Sequence, residues 1–103
     1  MPRDINEVIL TGEASSSPIL VPIKNNKKLC SFELKNLERF TLSSGEAAAH
    51  ENPLTVEILG PTAEQQARTI QKGSRYFIKG YLRVDLVEGK QSVRVRAFRV
   101  ELE

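Results

Sequence analysis

The chain has 103 residues, the length of one domain, and its 40% hydrophobic and 27% charged residues suit a packed core rather than disorder throughout. One cysteine, Cys30, excludes an internal disulfide; with one histidine, His50, it also excludes a Cys/His zinc site. The net charge is +2, yet residues 68–99 carry nine basic groups against Asp85 and Glu88, a local +7, while residues 36–67 carry −4. Such a block fits either a polyanion partner, above all nucleic acid, or a solvated basic sheet face.

In chain order, Val8-Ile9-Leu10 opens a first strand that ends near Gly12. Glu13 to Ser17 is a polar break, and Ile19 to Ile23 resumes extended structure around Pro18 and Pro22, a pattern that suits one long bent strand. Lys24-Asn25-Asn26-Lys27-Lys28 reads as a hairpin loop. Leu29 to Lys35 is a second strand, with Cys30, Phe32 and Leu34 toward the core and Ser31, Glu33 and Lys35 outward. Residues 37–53 lose the period, and Ser43-Ser44-Gly45 and Glu51-Asn52-Pro53 punctuate a long connection, read as a mobile hairpin tip. Leu54 to Leu59 is a third strand.

Gly60-Pro61-Thr62 predicts a helix start, with Thr62 and Gln65 as a capping box, Ala63, Ala67 and Ile70 on one side, and Gly73 as the stop. Ser74 to Val84 and Val93 to Leu102 are the fourth and fifth strands, linked by the turn-like Val87-Glu88-Gly89-Lys90. Three strands, one helix and two strands give an all-β chain. The order is that of a five-stranded Greek-key barrel with one α-helix between strands 3 and 4, the OB-fold.

Alternation in the fourth strand puts Tyr76, Ile78, Gly80, Leu82 and Val84 inward and Arg75, Phe77, Lys79, Tyr81 and Arg83 outward. Rings stack on unpaired bases and cations track phosphates, so the outward set has the chemistry single strands require. An aromatic sheet face equally suits a subunit interface, and both readings stand for Phe77 and Tyr81. In the fifth strand Arg94 and Arg96 oppose Val93 and Val95, and the break near Ala97-Phe98-Arg99 predicts a bulge. Lys24, Lys27 and Lys28 share one loop, where they either grip phosphates or keep the loop soluble.

Ile5–Gly12 resembles the opening of the bacterial single-stranded-DNA-binding proteins, and Cys30-Ser31-Phe32-Glu33-Leu34 their second strand. Residues 63–83, AEQQARTIQKGSRYFIKGYLR, carry the most specific likeness: the family's helix, Lys-Gly-Ser turn and Gly-x-Leu-Arg strand. The resemblance implies backbone contacts to DNA from Arg3, Lys72 and Arg83, and stacking from Phe40, which falls where the family often has a tryptophan. There are departures. The chain has no Trp; Pro53 and a residue near Val87 occupy other tryptophan positions, and Leu59 a stacking phenylalanine position. Stacking is therefore expected to be weaker and electrostatics stronger. The chain stops at Glu103 without the family's acidic-tipped tail, so residues 1–103 are expected to be a single nucleic-acid-binding domain, either bare or cut short of its tail. A short, Trp-poor chain is also similar to primosomal replication protein N. The relatives' habits imply a homodimer or a homotetramer.

The expectation is sequence-independent binding of single-stranded DNA in replication, replication restart, repair or recombination, with RNA left open as a ligand. The expected contact set is Arg3, Lys24, Lys27, Lys28, Lys35, Arg39, Phe40, Lys72, Arg75, Lys79, Tyr81, Arg83, Arg94 and Arg96. The alternative is an oligomeric adaptor for replication, primosome or phage proteins that binds DNA weakly. No cofactor, metal or catalysis is expected. His50 and Glu51 have no nucleophile, and Gly89-Lys90-Gln91-Ser92 lacks the earlier glycine of a phosphate loop. No apolar run approaches the roughly 18 residues of a membrane span, and the N-terminus has no signal-like pattern, so a cytoplasmic, nucleoid-associated protein is expected.

Overall fold

A computed structural model describes residues 3–103. It contains β1 (Val8–Ala14), β2 (Ile19–Pro22), β3 (Lys28–Thr41), β4 (Ala47–Leu59), α1 (Ala63–Thr69), β5 (Arg75–Val87) and β6 (Lys90–Leu102). The sheet runs β1-β5-β6-β4-β3-β2, and β1 also pairs with β3, which closes it into a barrel. β1 and β2 are two halves of one bent strand, because both lie on β3: Ala14 opposite Leu34, Ile19 opposite Ser31. At the bend Ser15 N donates to Glu33 O (2.8 Å), and Glu33 N donates to Ser16 Oγ (2.9 Å). Counted so, this is the five-stranded OB barrel with its helix between the third and fourth strands.

Inward residues make one cluster, with Phe32, Leu34, Ile78, Val56, Val95 and Cys30 as its largest fully buried side chains. Each large apolar side chain so buried contributes roughly 1.5–3 kcal/mol over exposure. Phe32 meets the buried Tyr76 edge-on, with ring centroids 6.3 Å apart, and the Tyr76 hydroxyl accepts from Gln71 N at 2.8 Å. That bond offsets the cost of burying the hydroxyl. α1 packs on β2, β3 and β4 and adds Ala63 to the core, as Ile70 does from just beyond its end. The capping box does not form. Thr62 is already helical (φ −85°, ψ −6°), and its side chain makes no capping bond. Instead Gly60 turns the chain, with Ala63 N donating to Gly60 O.

The segment 37–53 is a hairpin, but little of it is tip. β3 and β4 pair in continuous register from Leu29 opposite Leu59 to Thr41 opposite Ala47, so most of it is a hairpin arm that outruns the barrel. The tip is tight, with Leu42 N donating to Glu46 O (2.8 Å) and Gly45 N to Leu42 O (2.9 Å). Pro53 is tolerated inside β4 because β4 meets β6 only at Val56 and Glu57, which leaves Pro53 on an edge. β5 and β6 form a second arm. Leu82 and Val84 share the inward phase but lie beyond the core, exposed. The expected bulge is present: Lys79 faces Arg99 and Gly80 faces Ala97, so Phe98 is the extra residue.

Candidate nucleic-acid interface

The twelve basic residues of the expected contact set divide by whether a carboxylate already holds them. Arg3, Lys24, Lys27, Arg39 and Lys72 are exposed and have no ion-pair partner among the described residues. Lys24 and Lys27 sit on the β2–β3 connection, where Ile23 N donates to Lys27 O (2.8 Å) and fixes the loop's base. Lys72 stands on the turn between α1 and β5, whose Gly73 N donates to Ala14 O. Arg39 and Phe40 are consecutive in β3 and so point to opposite faces of the arm; Phe40 is 43% exposed.

The remaining cations are engaged. Lys28 Nζ lies 2.5 Å from Glu64, Lys35 lies 3.9 Å from Glu13 and 3.8 Å from Glu51, and Arg75 lies 2.9 Å from Glu103. Lys79 reaches Glu7 at 3.5 Å, and Arg83 reaches Asp85 at 3.3 Å. These pairs are half-exposed and exchangeable, worth little each in water. Arg94 and Arg96 differ. Both bond Glu57, at 3.0 and 3.2 Å, and Glu57 is 4% exposed. The structure therefore does not present Arg94 and Arg96 as open phosphate contacts, although alternation does turn them outward.

Register brings Tyr81 opposite Arg96 and Arg83 opposite Arg94. Tyr81 is half-buried. Phe77 is also half-buried, with the Arg99 guanidinium 6.0 Å from its ring centroid, so one of its contacts is already made within the chain.

Two features escape the sequence. An open cleft of about 450 Å³ is lined by Asn26, Lys27, Lys28, Leu59, Pro61 and Glu64. It sets an apolar floor beside two lysines, and only the β3–β4 register and the helix start bring these residues together. The Lys28 ammonium, by hydrogen bond and then by charge, holds the Glu64 carboxyl below its ordinary value. The other feature is a stripe on the β5–β6 arm, where Leu82, Val84, Leu86 and Val93 are all exposed. Alternation predicts such a row but cannot say where the barrel stops covering it. Burial pushes the Cys30 thiol up, consistent with an inert core cysteine. Among the described residues no group of three or more His, Cys, Asp or Glu is placed to hold a metal, and no helix is long and apolar enough to cross a membrane.

The single-strand binding protein family matches residues 5–103. A deletion variant of the single-stranded DNA-binding protein of Thermus aquaticus is similar at 26% identity and a TM-score of 0.88, over 100% of this chain and 52% of that one. This chain thus spans about half of that protein. The small single-stranded DNA-binding protein of Streptomyces coelicolor shares the fold at 18% identity and a TM-score of 0.79, over 99% of this chain and 96% of that one. A Plasmodium falciparum relative, solved with single-stranded DNA, shares it at 15% identity and a TM-score of 0.85, over 100% and 96% of the two chains. No curated protein matches the chain.

Proposed function

Because this chain belongs to the single-strand binding protein family, we propose that it binds single-stranded DNA without regard to base sequence. The observation that carries the reading is the family match across residues 5–103, which covers the whole barrel and both arms. The geometry supplies a mechanism. Lys24, Lys27, Arg39 and Lys72, without carboxylate partners, attract phosphates at no cost in broken ion pairs. Lys28, Lys35 and Arg83 exchange an exposed carboxylate for a phosphate. Phe40, and Leu59 on the cleft floor, offer apolar surface to bases. The work is binding, not catalysis. It belongs to replication, restart, repair or recombination, where unpaired strands arise, and places the protein with the nucleoid.

The test is fluorescence anisotropy with end-labelled oligo(dT), because a chain without tryptophan has no indole emission to quench. The affinity is expected to fall steeply between about 50 and 200 mM salt. Duplex of equal length should compete weakly, and oligo(U) reads whether RNA is also held. No binding at the lower salt overturns the reading.

A second reading has its own observation. Ile9 and Phe98 (66% exposed) stand among the Lys79–Glu7 and Arg99–Glu101 pairs on the outer face. An apolar patch with both charge signs suits a second copy, and so a homodimer or a homotetramer, or a replication partner. Sedimentation velocity with and without oligonucleotide separates assembly from DNA binding; a monomer throughout removes the self-association reading.

A further inference from the structure

We infer that Glu57 withholds Arg94 and Arg96 from the polyanion and so keeps this part of the outer face off the nucleic-acid path. The inference rests on the DNA-binding reading for its consequence, but not for its chemistry. Glu57 is the one charged residue that is buried among the described residues. Val56 and Ile58 on either side face the core, so Glu57 faces outward and is hidden there by other side chains. Each of its oxygens takes a different guanidinium: Arg94 Nη1 donates to Oε2, and Arg96 Nη2 donates to Oε1. Arg94 also contacts Asp85, which in turn holds Arg83. Two carboxylates thus serve three guanidinium groups.

A second edge of each group is closed as well. Nε of Arg94 and Nε of Arg96 are both buried without a partner, so neither arginine can offer a phosphate the side-on pair of N–H donors that includes Nε. Pulling both arginines away would strand a buried carboxylate, which is far costlier than exchanging an exposed pair. Lys28 and Glu64 are that exposed pair, with side chains 46% and 49% accessible. The trio also sits at the barrel seam, where β4 and β6 run parallel for only two residue pairs, one of them Glu57 with Arg96. The stretch most cationic in sequence therefore presents fewer usable charges than it contains.

Arginine footprinting with a dicarbonyl reagent and peptide mapping tests this on the unaltered protein. Arg39 and Arg68 are expected to react in the free protein, with Arg39 protected by oligo(dT). Arg94 and Arg96 are expected to stay unreactive with and without it. Reaction at Arg94 and Arg96 in the free protein overturns the inference whether or not DNA is the ligand. The functional arm is Glu57→Gln. Its product should elute from heparin at higher salt than the wild type and, against oligo(dT), gain about 0.7 in salt slope per phosphate newly engaged. Unchanged elution of a folded E57Q overturns the inference, and so does a shallower salt slope in a folded Arg96→Gln. Failure of the wild type to bind oligo(dT) at low salt instead strikes the DNA reading, with footprint and heparin elution still deciding the clamp.

Discussion

Glu88 has φ 52° and Gly89 has φ 77°, the paired positive angles of a type I′ hairpin turn. Glycine adopts them freely; glutamate does so against its Cβ. Glu88→Asn should therefore stabilise the protein by roughly 0.5–1 kcal/mol, read as a higher Tm in a thermal melt. Glu64 makes a pH prediction. Its folded carboxyl is held below the ordinary 4.5 by Lys28. The stabilisation is complete above the ordinary value and is lost as pH falls through the lower, folded one. In Glu64→Gln, Tm should decline less steeply between about pH 5 and pH 3 than in the wild type. Phe40 tests stacking: Phe40→Ala should weaken oligo(dT) binding by about 1–3 kcal/mol per base stacked, with an unchanged salt slope. A shallower slope would show that the substitution disturbed the arm's cations instead.

Gly80 is an element-scale constraint, because β5 passes β6 closely at the bulge. A Cβ there would lie 2.2 Å from Arg96 O and 2.8 Å from Ala97 Cα, both backbone atoms that cannot step aside. Gly80→Ala should cost about 3 kcal/mol or more in urea denaturation, while Gly45→Ala at the arm tip meets no neighbour and costs only its φ strain. The bulge itself was legible, because Ala97-Phe98-Arg99 breaks the alternation. So were the inward phases of Cys30, Phe32, Leu34, Tyr76 and Ile78, all buried. The length of paired strand in the β3–β4 hairpin was not. Alternation records the contrast between a wet and a dry face, and along Leu37–Thr41 and Ala47–Glu51 almost every side chain is exposed on both. The missing helix cap has a related cause: Thr62 has the right side chain, but its backbone angle follows from the turn at Gly60.

Across the whole molecule, the +2 net charge hides a division between available and neutralised cations. From residue 68 to 99, Arg75, Lys79, Arg83, Arg94, Arg96 and Arg99 are all ion-paired, leaving Arg68, Lys72 and Lys90 without a carboxylate among the described residues. The salt slope of oligo(dT) binding should therefore reflect fewer phosphates than the nine basic groups of that stretch suggest. Lys24→Gln and Lys72→Gln should each reduce the slope by about 0.7, measured by anisotropy across a salt series.

Local order, hydrophobic phase and the family likeness were determined by the sequence itself, because each depends on residues near one another in the chain. Which cations remain available was decided only in three dimensions. Glu57 lies 37 residues from Arg94, and Glu64 lies 36 from Lys28; a charge's worth depends on the carboxylate the fold brings to it.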